Sequence, residues 1–134
     1  MKIRKSITAL FLAALILTGC GGELSDKFDE SEVRAAAEEI VELVNEGDFE
    51  TLGEEKLGAA LAGMTDEIEK GAEQVISPVG DFEKIQAVNI TGSKDKDTGT
   101  EYAVAVVLAE HAEGKVQYTI SFDTTMKCVG LYMK

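Results

Sequence analysis

The chain has 134 residues with 13 basic and 25 acidic side chains, giving a formal charge of −12. So acidic a composition argues against nucleic-acid binding, which needs a basic face to release counterions. It also argues against a domain lying flat on an anionic leaflet, and the length suits one ordinary core rather than two domains.

Lys2, Arg4 and Lys5 open the chain, and Ile7 to Leu17 is an uncharged, mostly apolar run of 11 residues. A spanning helix needs about 20 apolar residues, so this run is too short to remain in a bilayer and reads as the core of a secretory signal. The basic residues before it keep the N-terminus in the cytoplasm. In Leu17-Thr18-Gly19-Cys20 a cysteine directly follows small residues. That pattern resembles the cleavage box of bacterial lipoprotein signals. The resemblance implies a signal peptide at residues 1–19 and lipid attachment at Cys20 (diacylglyceryl plus an acyl chain such as palmitate). It further implies a protein anchored at the extracytoplasmic face of the cell membrane. Two chains hold a protein stably where one holds it marginally. The alternative is an ordinary cleaved signal with an incidental cysteine. The three basic residues of the signal mask part of the acidity: residues 20–134 carry 10 basic and 25 acidic side chains, a formal −15.

With Cys20 lipidated, Cys128 stands alone and an intrachain disulfide is ruled out. Cys128 lies mid-strand and is expected to be packed and inert. Residues 20–27, with Gly21-Gly22 and Ser25-Asp26, read as a lipid-anchored flexible tether. Eight residues reach at most roughly 25–30 Å, so the domain at 28–134 stays near the membrane.

The first helix is expected from about Asp29, which with Glu32 forms a capping-box pattern. Val33, Ala36, Ala37, Ile40 and Val44 fall on one face, and Gly47 is placed to end the helix. Asp48 caps a second, short helix from Phe49 to about Ala62, weakened by Gly53 and Gly58. Thr65 starts a third, with Ile68, Ala72, Val75 and Ile76 on its apolar side. It stops near Ile76 because Pro78 disfavours helix at Ser77.

From Lys84 the period changes to that of strands. Lys84–Thr91 is the first, followed by a polar loop from Gly92 to Thr100 and a second strand at Glu101–His111. Glu113-Gly114 is a turn signal. Lys115–Asp123 alternates cleanly, with Val116, Tyr118, Ile120 and Phe122 on its buried side. Thr124-Thr125 leads to a last strand, Lys127–Met133. The second strand is apolar on both faces over Ala103 to Ala109, which predicts a central position covered on both sides. With helices on one face, the row Val104, Val106 and Leu108 on the other calls for cover from the chain itself or from a second copy, a homodimer through the outer sheet face. Helices first and an antiparallel sheet last predict an α+β layer design.

Chemistry is sparse. The single histidine, His111, cannot make a multi-histidine metal site and reads as a surface or strand-end residue rather than a general base. No nucleophile elbow, P-loop or dinucleotide fingerprint occurs, and neither a cofactor nor a catalytic residue is assigned. Asp95, Asp97 and Glu101 around Gly99 fail the spacing of a calcium loop and read as a solvated hairpin loop, so no metal ligand is assigned either. Asn89-Ile90-Thr91 matches a glycosylation sequon by chance.

The opening Phe28-Asp29-Glu30-Ser31-Glu32-Val33 leads through Val44-Asn45-Glu46-Gly47-Asp48-Phe49-Glu50. The chain closes on Tyr118-Thr119-Ile120-Ser121-Phe122-Asp123 and Met126-Lys127-Cys128-Val129-Gly130-Leu131-Tyr132-Met133-Lys134. These segments resemble an uncharacterised domain family of lipoproteins and exported proteins in Gram-positive bacteria, itself similar to the nuclear transport factor two-like (cystatin-like) superfamily. The resemblance covers residues 27–134. It implies three N-terminal helices packed on a curved four-stranded antiparallel sheet, forming a cone with a pocket between the layers, and it transfers no catalytic motif. Some cone-fold enzymes set an Asp base against tyrosine donors, as in the ketosteroid isomerase case. Here Tyr102, Tyr118, Tyr132 and Asp81 are available, but Tyr118 is in phase with the core. Three functions follow as expectations. The first is a non-catalytic binding or interaction module, holding a small apolar ligand or peptide or pairing through the sheet. The second is a small lyase or isomerase in the cone, and the third a ligand-free structural or accessory domain of the envelope.

Overall fold

The computed structural model describes residues 22–134. The signal peptide expected at residues 1–19 and the expected lipid-attachment residue Cys20 lie outside the described residues. Helix α1 (Glu30–Glu46) starts where Asp29 accepts hydrogen bonds from the backbone N–H groups of Ser31 and Glu32. It ends at Gly47, whose φ of 76° allows its N–H to reach the carbonyls of Leu43 and Val44. Only a residue without a Cβ adopts that turn cheaply. Val33, Ala37, Ile40, Val41 and Val44 are its buried residues, so the expected face holds, with Val41 in place of the half-buried Ala36.

The expected second helix is broken into pieces. Helix α2 (Phe49–Thr51) runs into a π-helical turn (Leu52–Lys56), and after an extended Leu57-Gly58 comes helix α3 (Ala59–Ala62). The Leu57 N–H bonds the Leu52 carbonyl at 3.1 Å. This five-residue spacing widens the helix and leaves both leucines buried. Gly58 then donates to the Cys128 carbonyl at 2.8 Å, so the breakpoint is used to cover a sheet edge. Helix α4 (Thr65–Ile76) has the expected bounds and passes into a 3-10 turn (Ser77–Val79) carrying Pro78 at its start.

The sheet is an antiparallel meander in sequence order, β1 (Phe82–Lys94), β2 (Glu101–His111), β3 (Gly114–Phe122) and β4 (Cys128–Met133). Strand β1 is longer than its periodicity predicts. Register shifts between Phe82 and Lys84 and between Ile85 and Ala87 insert extra residues, so the inward side chains Phe82, Ile85 and Val88 fall three apart instead of two. Such bulges bend a strand and sharpen its twist. The result is an α+β fold, helices against one face of a curved four-stranded antiparallel sheet, consistent with the nuclear transport factor two-like cone.

The inner face of β2 and β3 supplies Ala103, Ala105, Val107, Ala109, Val116, Tyr118, Ile120 and Phe122, all buried. The small alanines of β2 sit opposite large residues of β3: Ala105 pairs with Ile120 and Ala103 with Phe122. This alternation lets α1 approach the sheet closely.

Candidate functional site

The place where a cone-fold pocket would open lies between α1 and β3. Tyr118 projects there from β3 and is fully buried. Its hydroxyl accepts a hydrogen bond from Asn45 Nδ2 at 2.9 Å, and the same amide donates to the Val41 carbonyl at 2.8 Å. Burial pushes the Tyr118 pKa above its usual 10.0, with the Asn45 bond pulling the other way. The phenol is therefore a neutral, sealed group at physiological pH. Asp81, the acid nearest the junction of the layers in sequence, is exposed, and its backbone carbonyl accepts from Ala112. Tyr132 is 61% exposed and Tyr102 half-buried. The structure does not bring Asp81 and the tyrosines together into an acid–base set. Among the described residues no group of three or more His, Cys, Asp or Glu side chains converges as a metal site.

His111 corrects the sequence reading. It does end β2, but it is buried, at 3% exposure, rather than on the surface. Its Nδ1 lies 2.8 Å from the Gly80 carbonyl and its ring meets Phe82 edge-on, with centroids 5.7 Å apart. The carbonyl can only accept, so Nδ1 carries the proton in this contact, and Nε2 is buried without a hydrogen-bond partner among the described residues. The imidazole joins the 3-10 turn to the end of the sheet. The inward phase of residues 103, 105, 107 and 109 continues to 111, which is the sequence signal for this burial.

Cys128, at the start of β4, is buried as expected. Burial drives its thiol pKa up to about 11, opposed by a backbone hydrogen bond of Gly130, and a thiol so placed is inert. Asp95 accepts from the N–H groups of Asp97 and Thr98 at 2.8 and 3.2 Å. Its carboxylate therefore shapes the hairpin loop as an Asx turn.

Two surface features remain. On the outer sheet face Val104, Val106 and Leu108 are half-buried and lie between Ala87, Asn89 and Thr91 of β1 and Gln117, Thr119 and Ser121 of β3. The expected cover on this side is not supplied by the described residues. On the inner face, at the far end of the β1–β2 hairpin, residues 22–28 form a strap with a crevice beside it. Gly22 bridges Gly92, with the Gly92 N–H on the Gly22 carbonyl at 3.3 Å. Ser25 Oγ donates to Glu101 Oε1 at 3.1 Å, and Lys27 Nζ stands 3.2 Å from the same oxygen. Lys27, then Ser25, holds the Glu101 pKa below its usual 4.5. Phe28 follows into the core. The tether expected at residues 20–27 is thus docked on the sheet from Gly22 onward. The signal for docking is Gly92, where a side chain would have no room: a Cβ there would collide with the Glu23 carbonyl oxygen.

Residues 37–131 match the model of a family described as protein of unknown function, DUF3887. No curated protein matches the chain. A solved NMR structure of a protein from Ruminococcus gnavus ATCC 29149 is similar in fold, with a TM-score of 0.73 at 23% identity over 86% of this chain and all of that one. The chain belongs to the DUF3887 family.

Proposed function

We propose that this chain, as a member of that family, is a membrane-anchored extracytoplasmic lipoprotein whose domain acts as a non-catalytic interaction module and pairs with a second copy through the outer sheet face. The carrying observation is the charge map of that face. Residues 20–134 hold 25 acidic side chains against 10 basic ones, yet on β1, β2 and β3 the central rows of the outer face contain none, and only Lys134, paired with Gln117 at the β4 edge, brings a charge to them. Val104, Val106 and Leu108 are flanked there by Ala, Asn, Thr, Gln and Ser, with the exposed Tyr132 beside Thr119. Two copies of so acidic a domain repel each other everywhere except where charge is missing, and like-charge contact is costly. An isologous pairing of this patch satisfies both that repulsion and the unused apolar row.

The filled interior supports an interaction role over a ligand in the cone, since Val33, Ile40, Val41, Tyr118 and Ile120 occupy it with no exposure. The cone arrangement is the one that the nuclear transport factor two-like resemblance implies.

Sedimentation equilibrium over a concentration series tests the pairing. The wild-type domain is expected to dimerise, and Val106→Asp to remain monomeric with an unchanged far-UV spectrum. A wild-type domain that stays monomeric at the highest concentration refutes the pairing. For the anchor, Cys20→Ala should release the protein from membranes into the medium.

A further inference from the structure

The strap fixes where the chain leaves the domain. Gly22 is bridged to Gly92 on β1, and Cys20 is two residues before it. Two residues of extended chain reach no more than about 7 Å. A lipid on Cys20 must therefore enter the bilayer beside the far end of the β1–β2 hairpin, next to the loop at 95–100. The geometry points to a docked anchor: residues 22–28 clasp the domain so that this hairpin end faces the membrane surface, with the β2–β3 turn at Ala112–Glu113 directed away. This inference rests on the reading of Cys20 as the lipidated residue.

Three contacts hold the clasp, two of them on the same Glu101 oxygen. They are the backbone bridge at Gly92, the Ser25–Glu101 hydrogen bond and the Lys27–Glu101 ion pair. Gly92 is buried under the strap, and any side chain there collides with the Glu23 backbone. The main chain thus passes as close to the sheet as a glycine permits. Without the clasp, the segment from Cys20 to Phe28 would let the domain swing freely over roughly 25 Å. With it, the lipid occupies a defined corner. The acidity of the domain works in the same direction, because repulsion from an anionic leaflet lifts every part that the anchor does not hold down.

The experiment uses the full lipidated protein, expressed with its signal and reconstituted in phosphatidylcholine–phosphatidylglycerol vesicles that contain a headgroup spin-labelled phosphatidylcholine. A bimane fluorophore is placed on Asp97→Cys in the hairpin loop or on Glu113→Cys at the opposite turn. Cys128 does not compete for the label, being buried with a thiol pKa of about 11. The two positions are separated by the length of β2, which has 11 residues and spans roughly 35 Å at the strand rise. Spin-label quenching is expected to be strong at residue 97 and no greater at residue 113 than in vesicles without the probe. Gly92→Val, still vesicle-bound, should cut the quenching at residue 97 severalfold by displacing the strap. Equal quenching at both positions in a protein whose intact mass shows the acylated Cys20 overturns the docked orientation and leaves the anchor standing. An intact mass without lipid overturns the anchor itself, and the orientation with it.

Discussion

Replacing Tyr118 by phenylalanine removes one oxygen from the sealed interior and tests how the two layers are joined. Asn45 Nδ2 donates both to that oxygen and to the Val41 carbonyl, so in Tyr118→Phe the amide keeps one partner. The cost should be that of a net buried hydrogen bond, about 1 kcal/mol. For a domain of this size, that lowers Tm by roughly 4 °C. Asn45→Ala is the harsher change at the site, because it leaves a buried hydroxyl without a partner, at about 1–3 kcal/mol. Alanine returns roughly 0.5 kcal/mol of that through helix propensity. The double mutant should cost less than the sum of the two single mutants, with a coupling energy of about 1 kcal/mol. Urea unfolding followed by far-UV circular dichroism measures all three. Zero coupling, or a Tyr118→Phe cost above about 3 kcal/mol, would refute the account of this pair as a simple interlayer bond. The same variant has an alkaline signature. The Tyr118 pKa is raised in the fold, so its contribution is complete below the unfolded value of 10.0 and is lost as pH rises through the folded one. Tyr118→Phe should therefore lose less stability than wild type above pH 10.

Two further outcomes are expected. Cys128, with its thiol pKa raised from 9.0 to about 11, should not react with Ellman's reagent at pH 8 in the native protein and should react promptly in denaturant. Prompt native labelling would contradict its burial. The strap should loosen in acid: Glu101 has a lowered pKa in the fold, so its contribution is full above the usual 4.5 and is lost as pH falls through the folded value. Amide exchange at Gly92 should accelerate there before that of the β2–β3 core, and Glu101→Gln should remove the pH dependence. Unchanged protection of Gly92 down to pH 3 would show that the ion pair does not hold the strap.

Legibility in the sequence followed the range of the interactions. Helix α1 was readable from Asp29 to Gly47 because caps and apolar spacing act within a few residues. Helix α4 was readable because Pro78 blocks its extension locally. Strand β3 carries its inward phase in plain alternation, whereas β2, apolar on both faces, shows its central place in the sheet but not which face is inward. Tyr118 was placed in the core by the phase of β3, but its partner Asn45 was not, since the pair is 73 positions apart. His111 was misread because a strand end is a surface by default, and only the return of the 3-10 turn with Gly80 covers it.

The sequence by itself therefore determined the α+β order, the acidity, the capped helices and the alternating strands. These depend on local backbone sterics and side-chain period. Tertiary structure alone decided the π turn that carries Leu57 and Gly58 to β4, the bulges that curve β1, and the strap clasped over Gly92. Each of these is a contact between segments far apart in the chain. A glycine in the sequence marks such a place as permitted, but what fills it is decided only when the layers close.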